Sequence, residues 1–467
     1  TGLKSEVVVL YRGGAYHLYR YRRFDDVRLV FAPELGTAFF GGDPDNFEYP
    51  RHCLDVSFFR VYQDGKPYRP QHFLKWSRQG VGEGDLVLVS GHPGKTDRLD
   101  TYRHLQFLRD HLYPFMLDSL RRREISLNTF AERSLENARE AQEDRFSVQN
   151  SRKARLGGLQ GLQDPQIMAA KLAQEKALRK AVASNPELQK RFGRGWPDVE
   201  RAVAELDREY ERYFLIEQRR GLDSRFYEIA RDLVRYSAER AKPNADRLSE
   251  FAESQWASLE LELFSPAPIF RPLDSLKFAD SLTFLAERLG AADPTVVAVL
   301  NGKSPHERAF SLVSQTRLAD VAYRKKLAKM TLAQLRGESD PMIQLALRLD
   351  PEARDLRRHY ADRVSSPLQE AYAKVARAQL ATGRDDLYPD ATFTLRLSYG
   401  KVSGYQDEGR PVPTWTTLRG LFNTSLSHRN AAPYTLPESW GRAQGLALDT
   451  PLNFVCTADI VGGNSGS

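Results

Sequence analysis

The sequence predicts a β-plus-α protein in which one large helical domain interrupts two β segments. Three observations carry that reading. Short apolar strings separated by Gly, Pro, Asp and Asn fill residues 1–106. Apolar residues then recur at helical spacing through 107–381, and strict alternation returns in 382–467.

In the first segment, "EVVVLY" and "YHLYRY" flank Gly13-Gly14. That dipeptide suits a tight hairpin, because both central positions of a type I′ turn need positive φ. "VRLVFAP", "DVSFFRVY" starting at Asp55, and "DLVLVSG" follow at short spacing, so an antiparallel barrel or sandwich is expected. The period then changes. Leu105, Leu108 and Leu112 fall at helical spacing, as do Val199, Val203, Leu206, Tyr210 and Tyr213. "GRGWPD", "FSPAP" and "LDPEAR" are expected to divide this stretch into several helices. In the last segment "TFTLRLSYG" sets polar Thr392 and Thr394 against apolar Phe393, Leu395 and Leu397, as a half-buried strand should.

Bulk properties narrow the function classes. The 467 residues, 41% hydrophobic and 28% charged, describe a folded chain of two or three domains. No apolar run approaches the roughly 18 residues of a membrane span. The net charge of +7 could attract nucleic acid, but basic and acidic residues are interleaved, as in "ERSLENAREAQEDR". A solvated mixed-charge surface is the expectation, with no nucleic-acid partner. Two cysteines, Cys53 and Cys456, allow at most one bridge and make no metal site. No metal or cofactor is expected. Thr1 is not an initiator, and the final "GGNSGS" follows directly on an apolar stretch, so the chain reads as an internal piece of a longer protein.

Four motifs invite chemistry. "VLVSGHPGKT" resembles the end of a phosphate loop, but the required glycine five positions before Gly94 is Val89, and Pro93 lacks a backbone donor. A structural turn is expected there. "DPDN" opens like a calcium loop, but Glu48 and Leu54 replace the glycine and the bidentate glutamate of that motif, which leaves a turn of short polar side chains. Ser465 lies in a Gly-x-Ser-Gly setting that suits a nucleophile. Asp55, at the head of an apolar string, can either cap a strand or, buried, orient a histidine base. Its position far upstream of Ser465 agrees with the chain order His, Asp, Ser and excludes the order Ser, Asp, His. Only His17 and His52 precede Asp55, and both read as structural. The base is therefore expected before Thr1, and this chain by itself is expected to be inactive.

These segments together resemble the bacterial serine dipeptidyl-peptidases of the dipeptidyl-peptidase 7 and 11 type. The resemblance rests on "YRYRRFDDVRLVFAPE", "FFGGDPDNFEYPRHCLDVSFFRVY", "GHPGKT", "NSRKARLGG" and "TADIVGGNSGS". It implies a chymotrypsin-like double β-barrel, incomplete here, with a large inserted α-helical cap. It also implies Ser465 as nucleophile, Asp55 as triad acid, and an oxyanion hole from the backbone N–H groups of Gly463 and Ser465. The substrate's free ammonium would be held by Asn46, Phe47 and Asn150. Phe47 stands where the family usually carries tryptophan, which keeps a ring but loses an indole donor. Further implications are oligopeptide substrates, a homodimer, and a periplasmic or cell-surface location in a Gram-negative bacterium. A cap closing the far side of a cleft would leave room for two residues and so make the enzyme an exopeptidase. Two rival readings are a catalytically dead peptide-binding relative and a basic helical protein that binds nucleotide or nucleic acid.

Overall fold

The computed structural model describes residues 3–383 and 388–460, together with the backbone of Asn464 and Ser465. Two compact units emerge: Thr1–Asp100 with Gln379–Ser467, and Thr101–Ala378. The second begins where the Thr101 hydroxyl caps the Tyr102–Phe107 helix.

The first unit carries the strands. In chain order they are β1 (Lys4–Leu10), β2 (Ala15–Tyr21), β3 (Asp26–Phe31), β4 (Phe58–Gln63), β5 (Lys66–Pro67), β6 (Leu86–Pro93), β7 (Arg396–Lys401), β8 (Tyr405–Asp407), β9 (Arg410–Val412), β10 (Trp415–Thr417), β11 (Pro451–Phe454) and β12 (Asn464–Ser465). They form the sheets β1-β2, β3-β4-β5, β12-β6-β7, β8-β9 and β10-β11. Among the described residues no closed barrel is found. The β6-β7 pair joins the two ends of the chain, with Leu88 opposite Tyr399 and Ser90 opposite Leu397. Its apolar face is open: Leu86, Leu88, Leu397 and Tyr399 are all exposed. The unit's small core gathers Phe40, Cys53 and Leu421, with Tyr434 and Trp440 packed against them.

Two sequence expectations need correction here. The β1-β2 connection is not a two-residue Gly13-Gly14 turn. Leu10 pairs with Ala15, so four residues make the loop, and Gly14 is right-handed helical while Tyr11 and Arg12 take positive φ. The reason is Arg12. Its guanidinium forms ion pairs with Asp97 at 3.0 Å, Asp100 at 2.5 Å and Asp390 at 3.2 Å. Asp390 is 4% exposed and also accepts from the Thr96 hydroxyl at 2.8 Å and the Arg98 N–H at 2.7 Å. The "TFTLRLSYG" strand, likewise, begins only at Arg396, because Phe393 has φ of 59° and its ring is exposed.

The second unit is helical. Its core gathers Phe107, Val203, Phe226, Leu233, Phe278 and Ile343. Val199, Val203, Leu206 and Tyr210 all line the buried face of the Gly195–Arg212 helix, as their spacing predicts. "GRGWPD" and "FSPAP" do separate helices, but "LDPEAR" does not: the Pro341–Tyr360 helix runs through Pro351. Buried ion pairs hold it there. Asp350 accepts from Arg235 at 2.7 Å and from Arg354 at 2.6 Å, and Arg235, 1% exposed, also pairs with Glu217 at 2.6 Å. These contacts outweigh the hydrogen bond that proline cannot make. No described helix is long and apolar enough to cross a membrane.

Arg12→Met strands three carboxylates, two of them buried, and is expected to cost about 3–5 kcal/mol in chemical denaturation. Asp97→Asn, at the exposed edge of the same cluster, is expected to cost about 1 kcal/mol or less.

Candidate active site

Asn464 and Ser465 pair antiparallel with the end of β6: Asn464 lies opposite Pro93 and Ser465 opposite His92. The "GHPGKT" motif is thus a strand end and its turn. Its threonine hydroxyl is spent on Asp390, and Lys95 pairs with Asp97 at 3.3 Å. Gly463 and the Ser465 side chain lie outside the described residues, and so does the oxyanion hole they were expected to build. Beside this strand pair is a cavity of about 300 Å³, lined by Pro93, Arg98, Tyr388, Arg396, Tyr399 and Asp459 among others. Arg98 and Asp459 form an ion pair across its wall at 2.5 Å. Sequence reasoning missed His92 as the residue in register with Ser465, since only strand pairing relates them.

Asp55 is exposed and three residues short of β4, which starts at Phe58. Of the two readings, the buried one does not hold in this structure. Val56 and Phe58 are themselves partly exposed, so the apolar string does not carry the carboxylate inward. No described residue hydrogen-bonds to Asp55.

The Asn46-Phe47 turn, by contrast, is tightly built. Gly41 and Gly42 have φ of +82° and +55° and lead into the short Gly42–Asp45 helix. A Cβ on Gly41 would lie 2.1 Å from an Asp45 carboxylate oxygen, so both its φ and its surroundings demand glycine. The Asn46 side-chain oxygen accepts from Arg51 at 3.3 Å, and the same guanidinium nitrogen donates to the Asp45 carbonyl at 3.1 Å. Phe47 is a non-glycine residue at φ of 63° with its ring 55% exposed. A bulky residue in that region is held by its surroundings.

The holding groups come from the far end of the chain. The Asn453 amide donates to the carbonyls of Arg51 at 3.1 Å and Cys53 at 2.9 Å. The Thr416 hydroxyl donates to the Arg51 carbonyl at 2.9 Å, and the Tyr434 hydroxyl donates to Asp45 at 2.8 Å. Burial, and the Asp45 carboxylate that accepts this bond, hold the Tyr434 hydroxyl above its ordinary pKa. None of these partners carries a sequence signal, because each acts over hundreds of residues.

The remaining candidates are dispersed. Asn150 sits on the exposed side of the Gln142–Gln163 helix in the helical unit. His17 is exposed on β2, opposite Val8. His52 packs against Gly420, where an added Cβ would meet its Nε2 at 2.4 Å. Burial holds the His52 pKa below the ordinary histidine value, with Asp45 opposing. Cys53 and Cys456 are free thiols, and Arg51 donates to the Cys53 sulfur at 3.1 Å. Among the described residues no group of three or more His, Cys, Asp or Glu side chains could hold a metal ion.

A mixed α/β architecture with its nucleophile-like serine on a short paired strand defines a candidate hydrolase. The chain belongs to the peptidase S46 family, which it matches over residues 1–467. It is 28% identical to the Asp/Glu-specific dipeptidyl-peptidase of Shewanella putrefaciens, over 99% of this chain and 69% of that protein. It is 25% identical to dipeptidyl-peptidase 7 of Porphyromonas gingivalis, over 98% of this chain and 66% of that protein. Its fold is that of Porphyromonas endodontalis DPP11 crystallised with the dipeptide Arg-Glu: TM-score 0.70 at 22% identity, covering 100% of this chain and 69% of that one.

Because folding lowers the His52 pKa, the unfolded chain binds the proton more readily. His52 therefore contributes stability above about pH 6.5 that is lost as pH falls through its folded value. Thermal denaturation against pH is expected to show a shallower acid decline for His52→Gln than for the native chain. Gly41→Ala is expected to lower stability by about 1–3 kcal/mol through forced positive φ and overlap with Asp45.

Proposed function

We propose that this chain forms the catalytic and substrate-binding body of a serine dipeptidyl-peptidase, which releases dipeptides from the free N-terminus of peptides. The observation that carries the reading is the whole-chain S46 match to relatives named dipeptidyl-peptidases. The pairing of Ser465 with β6 supports it by giving the serine a fixed backbone.

In this reading the Ser465 hydroxyl loses its proton to a histidine base and attacks the carbonyl of the second peptide bond. The tetrahedral oxyanion is held by the N–H groups of Gly463 and Ser465. The base then protonates the leaving amine, and water releases the dipeptide from the acyl-enzyme. Asp55, an accessible carboxylate, orients the base. At the other end of the dipeptide, the Asn46 side-chain oxygen, positioned by an N–H from Arg51, is assigned to the substrate ammonium. The exposed Phe47 ring offers that cation an aromatic face. Asn150, in the helical insert, supplies a further polar contact. The sheet β12-β6-β7 belongs, on this proposal, to the second barrel of a chymotrypsin-like pair. The enzyme acts as a homodimer in the periplasm or at the cell surface.

The full-length protein is expected to release dipeptides from unblocked oligopeptides, with rates followed by mass spectrometry. Ser465→Ala should lower kcat by about 10⁶-fold. Asn46→Ala should lower kcat/KM by about 10–100-fold on free N-termini, as loss of a hydrogen bond to a charged group predicts. Equal cleavage of N-acetylated peptides, or release of single amino acids, would overturn the assignment.

A further inference from the structure

The helical unit contains a cavity of about 350 Å³ walled by the Tyr113–Ala131 and Gln142–Gln163 helices, residues 218–224 and the start of the Arg225–Arg240 helix. Four arginines line it: Arg123, Arg155, Arg219 and Arg220. Two carboxylates, Asp223 and Glu228, share the wall, and both are already engaged. Asp223 pairs with Arg123, while Glu228 pairs with Arg219 at 2.6 Å and Arg225 at 2.6 Å.

Arg155 and Arg220 are left over. Among the described residues neither has a carboxylate within ion-pairing distance. The Arg155 guanidinium lies over the Tyr113 ring, at 5.7 Å from its centroid. Arg220 has its pKa drawn down to about 10 by burial and by the neighbouring charge of Arg155, with Asp223 opposing and Arg123 adding to the shift. A buried cation next to like charges is costly unless a counter-charge meets it. The Ser119, Ser147 and Ser151 hydroxyls, which also line the space, bond to no other described residue and can donate.

We propose that this cavity is an oxyanion site, in which Arg155 and Arg220 together take a small dianion carrying phosphate or carboxylate groups. Two guanidinium groups without an ion-pair partner among the described residues match two negative charges. Guanidinium forks bind the planar or tetrahedral oxygens in pairs, and the three serines complete the shell. None of the lining residues is among those assigned to peptide cleavage, and the inference does not depend on that assignment.

The test is calorimetric titration of the full chain with inorganic phosphate and, separately, with succinate, at constant ionic strength set by chloride. Saturable binding of phosphate alone identifies a phosphate ligand, of succinate alone a carboxylate ligand, and of both a general oxyanion site; each supports the proposal. Arg155→Gln lies on an exposed helix position and keeps the fold intact. It is expected to weaken binding by about 10-fold or more. Arg220→Gln should abolish binding and raise the melting temperature of the ligand-free protein, since it removes a partly buried cation whose burial and like-charged neighbours outweigh Asp223. Absence of saturable binding by either anion, or binding unchanged in both variants, would overturn the proposal.

Discussion

Arg12 is the contact on which the β unit depends. A single guanidinium at the tip of the first hairpin meets carboxylates from residues 97, 100 and 390. Asp390 in turn receives the Thr96 hydroxyl and the N–H groups of Arg98 and Leu99. Thr96 returns the bond by accepting from the Ala391 N–H at 2.9 Å. The departure from β6 and the approach to β7 are fastened at one point, so these strands pair in a fixed register and leave the end of β6 free to receive Asn464 and Ser465. The strained backbone of Tyr11 and Arg12 is the local cost of placing that guanidinium.

The same logic supports the Asn46-Phe47 turn. Asn46 and Phe47 belong to a short loop with little core of its own. Asn453, Thr416 and Tyr434 reach it from the C-terminal β segment and fix its carbonyls and its carboxylate. A turn held by remote hydrogen bonds has its order established in folding. Arg51 links the two levels, since one face of its guanidinium holds Asn46 while its carbonyl is held by Asn453 and Thr416.

The sequence made much of this legible. Helical spacing from Val199 to Tyr210 located a buried face, because burial of one stripe of a helix imposes that period. The motif around Asp43 and the Gly-Asn-Ser end stood out because glycine and short polar side chains mark unusual backbone. What stayed hidden was set by long-range partners. Gly13-Gly14 reads as a two-residue turn until Arg12 meets three acids, and Pro351 reads as a break until Asp350 meets Arg235. The buried reading of Asp55 leans on its apolar neighbours, which are themselves partly exposed. Local pattern reports local preference, and ion pairs between distant segments overrode it in the first two cases.

The insertion also sets an order of assembly. Residues 87 and 400 are opposed in β6 and β7, yet the whole of Thr101–Ala378 intervenes. Closing so long a flexible loop before any contact rewards it is slow. The helical unit relies on nearer contacts and brings its own ends together: the Tyr372 hydroxyl receives the Thr101 N–H at 3.2 Å and bonds His104 at 2.8 Å. Once folded, it replaces nearly three hundred residues of slack with a short fixed span. The helices thereby act as an internal folding template, and their stability governs how fast the serine-bearing sheet can form.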